Sequence, residues 1–102
     1  MRAEIEVRRT EETRRDTRQF AHRDGEVEAL GSDSLPGVVT DLSRSGFRMV
    51  VEEALAPESV VWLKVGGYGP FMARVVWYDG TAIGCEFAGK LQTEVVGHLL
   101  QG

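Results

Sequence analysis

A chain of 102 residues that is 42% hydrophobic is long enough for one domain, and a domain of that size buries about two thirds of its unfolded surface without a disulfide or metal staple. Twelve Lys and Arg against 16 Asp and Glu leave a net charge of −4, which argues against a protein coated in nucleic acid. One cysteine, Cys85, excludes an internal disulfide; no apolar stretch nears the roughly 18 residues that cross a bilayer, and none at the N-terminus reads as a secretory signal. The expectation is a soluble, cytoplasmic protein without membrane insertion.

Residues 1–19 are polar and charged without sustained period and read as a flexible arginine-rich arm with room for a short helix. Seven of the 12 basic residues, Arg2, Arg8, Arg9, Arg14, Arg15, Arg18 and Arg23, lie in residues 1–24, whereas residues 25–102 carry five basic residues and ten acids. A basic arm therefore leads an acidic body, residues 20–102.

From Gly25 the pattern changes to short apolar runs separated by turn residues. Six strands are predicted: Glu26 to Leu30, Leu35 to Asp41, Phe47 to Val51, Ser59 to Val65, Phe71 to Tyr78 and Thr81 to Phe87. Asp79-Gly80 reads as a two-residue hairpin, which pairs the last two strands antiparallel. Gly66-Gly67-Tyr68-Gly69 lacks the lysine and following helix of a phosphate loop and reads as another hairpin. Strands at this spacing favour a closed or nearly closed antiparallel barrel over a sheet with exposed edges. In LQTEVVGHLL, Leu91, Val95, Val96, Leu99 and Leu100 share one helical face, so a helix is expected to plug or flank the barrel. Gly97 within it costs about 1 kcal/mol relative to alanine. The fold class is all-β with one C-terminal helix: a six-stranded antiparallel β-barrel behind a flexible basic arm.

Catalytic constellations are missing. His22 and His98 have no Cys or His at metal-ligand spacing and read as surface residues. Cys85, in AIGCEF, reads as a small buried hydrophobe. An enzyme is not expected, nor a metal or cofactor.

Two stretches remain. In TRRDTRQF, Arg14 and Arg18 are four apart, within reach of one anion, and planar guanidinium forks bind phosphate and stack on flat rings. Arg44 and Arg48 repeat that spacing, so the spacing alone is weak evidence. In TDLSRSGFRMV, strand-like flanks surround Asp41-Leu42-Ser43-Arg44-Ser45-Gly46. Asp and Ser that bond their own backbone, with a glycine that accepts positive φ, suit any hairpin.

Together, RRDTR at Arg14 to Arg18 and DLSRSG at Asp41 to Gly46 resemble the paired motifs of the PilZ domain family: Arg with a second Arg four later, then Asp or Asn, any residue, Ser, two residues, Gly. RVVWYDG and AIGCEF resemble that family's last two barrel strands, so the similarity runs from about Thr13 to Leu100. It implies a six-stranded barrel with a C-terminal helix, in agreement with the strand count above, and a ligand, cyclic di-GMP. By the same resemblance Arg14 and Arg18 grip phosphate and stack on or bond guanine, Asp41 accepts from a guanine NH, Ser43 bonds the ligand or holds the loop, and Gly46 leaves room and permits the turn. Arg15 is a second-rank ligand contact, and Trp77 either offers a flat face to a base at the rim or packs as a core indole. Because His22-Arg23-Asp24-Gly25 interrupts the smooth apolar strand of many relatives, the first strand is expected to start late.

The resulting expectation is a non-enzymatic bacterial receptor that passes a cyclic di-GMP signal to an unidentified protein partner controlling motility, secretion or exopolysaccharide. The arm, flexible when empty, would fold near Asp41 to Gly46 on binding. Arg48 serves as the arginine outside the motifs, a control for Arg14 and Arg18. The alternative is a PilZ-like adaptor that docks a protein without nucleotide. A small barrel binding single-stranded nucleic acid is disfavoured by the acidic body, and no DNA or RNA partner is expected.

Overall fold

In the computed structural model, residues 19–29 and 34–101 are described. Six strands form a closed antiparallel barrel in the order β1-β2-β3-β6-β5-β4. They are β1 (Gln19–Ala29), β2 (Ser34–Leu42), β3 (Gly46–Val51), β4 (Val60–Val65), β5 (Tyr68–Tyr78) and β6 (Ala82–Phe87), and helix α1 (Thr93–Gln101) follows. Closure pairs β1 with β4, Gly25 opposite Val65, so every strand has two neighbours and no edge is left to template aggregation.

The inward residues of successive strands make the core. Val27, Val39, Met49, Leu63, Val75 and Ile83 are fully buried, and Val96 and Leu99 add the helix's apolar face. Gly97 lies on the opposite, exposed side with open space where a Cβ would go. Gly97→Ala is therefore expected to stabilise the protein by about 1 kcal/mol, read as a higher denaturation midpoint; an unchanged midpoint would mean the helix contributes little to the cooperative unit.

Strand β1 departs from expectation. It begins at Gln19, not Glu26, and runs through His22-Arg23-Asp24-Gly25. The alternation was hidden because two inward positions are not apolar. Gly25 faces in where a Cβ would come within 3.0 Å of the Lys64 carbonyl oxygen. Arg23 donates from Nη1 to the Leu99 carbonyl oxygen at 2.7 Å, satisfying an acceptor in the last turn of α1.

The last hairpin is shifted by one residue from Asp79-Gly80: Asp79 N donates to Ala82 O at 3.2 Å, which leaves Gly80 and Thr81 as the turn. Tyr78 pairs with Ile83, and the intervening turn is closed by the Asp79 side chain, whose Oδ1 accepts from Thr81 N at 2.9 Å and Ala82 N at 2.8 Å. Those two N–H groups, aided by the charge of Arg48, hold the Asp79 carboxyl below its ordinary pKa. The Gly66-Gly67 hairpin has two turn residues, with Val65 opposite Tyr68.

Candidate ligand-binding site on the barrel wall

The loop from Ser43 to Gly46 joins β2 to β3. Ser43 N donates to Gly46 O at 2.9 Å, and Ser43 Oγ accepts from Ser45 N and Gly46 N, both at 3.2 Å. Ser43 is only 3% exposed, so of its two expected roles its geometry is that of holding the loop. The loop is also tied to the segment ahead of α1. Leu91 N donates to Arg44 O at 2.8 Å, Arg44 Nε returns a bond to Leu91 O at 2.8 Å, and Phe87 N donates to Ser45 O at 2.7 Å. Arg44 is thus a structural clasp.

Closing that loop pairs Leu42 with Phe47 and therefore Asp41 with Arg48. The register then builds a row across five strands: Phe20 opposite Asp41, Asp41 opposite Arg48, Arg48 opposite Gly84, and Gly84 opposite Trp77. Because the neighbours of Arg48, Phe47 and Met49, are buried, the row faces outward. Two bulges make this possible. Register shifts at Thr40 and at Val76 turn Asp41 and Trp77 toward the outer wall, although strict alternation from buried Val39 and Val75 would send both into the core; Asp41 is nonetheless only 7% exposed.

Trp77 is accordingly a surface indole, 39% exposed, and not part of the core. Its ring lies over Gly84 so closely that a Cβ on that glycine would fall well inside 3.0 Å of Cε2, Nε1 and Cζ2. Asp41, Gly46, Arg48, Arg74, Trp77 and Glu86 line one open cavity of about 390 Å³, a size suited to a small ligand. Arg74 is held there by Glu86 at 2.8 Å and Glu58 at 3.1 Å; the hydrogen bond to Glu86, then the charge of Glu58, raise its pKa.

Gly46 has a requirement of its own. A Cβ there would fall well inside 3.0 Å of the Cys85 carbonyl oxygen, so the close approach of β3 to β6 demands glycine before any ligand does. Cys85 itself is buried, its thiol pushed up to about 12 by desolvation, as fits an inert core residue. His22 and His98 are both exposed.

The structure thus brings Asp41, Gly46 and Trp77 to one cavity and puts Ser43 behind it as the loop's brace. Arg14, Arg15 and Arg18, with the arm expected to order on binding, lie outside the described residues. Arg48 does not stand apart from the site as its role as a control required; it lines the cavity. That placement follows from the register of the Ser43–Gly46 hairpin, whereas the approach of Trp77 to Gly84 depends on the pairing of β6 with β3 and β5 and on the bulge at Val76. Among the described residues no cluster of three or more His, Cys, Asp or Glu is arranged for a metal, and no helix is long and apolar enough to cross a membrane.

The fold is a small closed barrel with a polar cavity on its outer wall, bounded by a braced hairpin and an exposed indole. The chain belongs to the PilZ domain family, whose model matches residues 5–101. That family is known for binding cyclic di-GMP. No curated protein matches the chain.

Proposed function

We propose that the protein is a non-enzymatic receptor for cyclic di-GMP in the bacterial cytoplasm, passing the signal to a protein partner in motility, secretion or extracellular polymer control. The observation that carries the reading is the convergence of Asp41, Gly46 and Trp77, distant in sequence, on one cavity with two arginines. An acceptor for guanine N–H groups, a flat platform for a base and cations for phosphate meet there. In the sequence Arg18 is followed by Gln19 and Phe20, and Phe20 lies opposite Asp41.

Charge distinguishes this cavity from a larger one of about 770 Å³, which is rimmed among the described residues by Asp24, Glu26, Glu52 and Glu53 against Lys64. A dianionic ligand is repelled there.

Isothermal titration is the test. Micromolar affinity, about −8 kcal/mol, is expected, with Arg14→Ala and Arg18→Ala each weakening binding at least tenfold through a lost charge-assisted fork. Their melting temperatures should match the parent's, since the described core starts at Val27. No heat at 100 µM nucleotide, roughly a hundred times that constant, would overturn the proposal and leave the adaptor reading.

A further inference from the structure

We propose that the acidic cavity over the first half of β2 is the docking face for a protein partner and takes a cationic segment of that partner carrying apolar side chains; the inference draws from the proposed function only that such a partner exists. Because β1 to β6 close on one another, their paired edges offer nothing for a partner to extend with a strand of its own. A partner must therefore seat side chains in a depression of the wall. The cavity of about 770 Å³ is such a depression, and none of its lining residues lines the cavity of Asp41 and Trp77.

The strand register sets apolar and acidic residues side by side there. Val38 stands opposite Asp24 on β1 and opposite Val50 on β3, and Pro36 stands opposite Glu26. Val39, Met49 and Val51 are buried, so their neighbours Val38 and Val50 face outward and form an apolar strip with exposed Pro36. Acids bound the strip on both sides: Asp24 and Glu26 on β1, and Glu52 and Glu53 directly after β3, all four exposed. With neighbouring strands about 4.8 Å apart, β1 and β3 are separated by about 10 Å. One segment can therefore meet both rims while its apolar side chains rest on the strip. Lys64, the cation that lines the cavity, stands opposite Glu26. Among the described residues no hydrogen bond or ion pair engages the carboxylates of Asp24, Glu52 or Glu53, which leaves three acids for a cation from outside. An arginine or lysine suits this arrangement, since its stem lies on apolar surface while its charge stays at the wet rim. Each exposed pair adds little, so recognition depends on several at once.

The experiment titrates the full chain, without nucleotide, against labelled synthetic peptides followed by fluorescence anisotropy: a leucine pair flanked by arginines, a serine pair flanked by arginines, and a leucine pair flanked by glutamates. The arginine–leucine peptide should bind saturably below about 1 mM, the arginine–serine peptide more weakly and the glutamate peptide not at all. Combining Glu52→Gln with Glu53→Gln should weaken the first peptide about threefold to tenfold, as expected of two exposed pairs. Glu94→Gln, on α1 and outside both cavities, should not. Cyclic di-GMP should bind the double variant as it binds the parent, and thermal melts confirm that each variant is folded. Absence of saturable peptide binding would overturn the inference. So would equal binding of the two arginine peptides, or equal weakening by Glu94→Gln, either of which marks attraction to the acidic body at large. Tighter binding after Arg8→Ser and Arg9→Ser together would overturn it as well, because the chain's own arm would then be the occupant. A parent that binds no cyclic di-GMP removes the receptor reading and leaves the docking face to be decided by the peptides.

Discussion

Gly46→Ala is expected to destabilise the barrel by about 1 to 3 kcal/mol, the usual cost of forcing extra atoms into a packed site. For a domain of this size that is a melting temperature lower by roughly 4 to 24 °C. The added methyl group meets the backbone carbonyl of Cys85 on β6, and a carbonyl fixed in a strand ladder has no rotamer in which to escape. Relief requires β3 and β6 to part between Gly46 and Glu86, next to the bond from Phe87 N to Ser45 O that secures the loop. A melt followed by circular dichroism reads the effect directly. Ligand affinity measured well below the transition then separates two reasons for the glycine. If the melt is unchanged and only binding falls, room for the ligand is the reason, and the barrel's own demand has been overestimated.

The distinction bears on how motifs are read. By its resemblance, DLSRSG reads as a ligand loop in which Asp41 accepts from a guanine NH, Ser43 bonds the ligand or holds the loop, and Gly46 leaves room and permits the turn. In the structure Ser43 is spent on Ser45 and Gly46 N–H groups, Arg44 on Leu91, and Gly46 on the approach of two strands. Asp41 is the motif residue that joins the outward row, and it does so through a bulge. A motif can therefore be partly a folding signal.

The strands were legible where one face is continuously apolar. β3, β4 and β6 are displaced by at most one residue from their predicted starts because their inward positions, Phe47, Met49 and Val51, Val61, Leu63 and Val65, and Ile83, Cys85 and Phe87, are apolar without interruption. β1 was not legible, since Arg23 and Gly25 occupy inward positions for reasons that only the neighbouring helix end and strand supply. The bulges at Thr40 and Val76 were equally hidden. Each inserts one residue without changing composition, yet each reverses the face on which a site residue stands. This is why Trp77 was left between core and rim.

Gly84→Ala, by contrast with Gly46→Ala, is expected to leave the barrel nearly as stable and to weaken cyclic di-GMP binding by about 1 to 3 kcal/mol, the scale of one base stacked on an aromatic ring. Here the three atoms nearest the methyl group belong to the Trp77 indole and none of them to backbone. An exposed ring on a rotatable side chain can swing off the wall at little cost, and once it does the platform is lost. Because the chain has two tryptophans, a Trp62→Phe background isolates the fluorescence of Trp77, which should shift to the red as the indole gains solvent. Combining Gly84→Ala with Trp77→Ala should then cost no more binding than Trp77→Ala alone, because both changes remove the same contact. Additive losses would mean Gly84 acts on the ligand by another route, and unchanged affinity with a displaced indole would remove Trp77 from the site. A melt that falls as far as that of Gly46→Ala would show instead that β6 needs both of its small contacts for strand packing, and that the row from Phe20 to Trp77 is a feature of the barrel before it is a feature of the site.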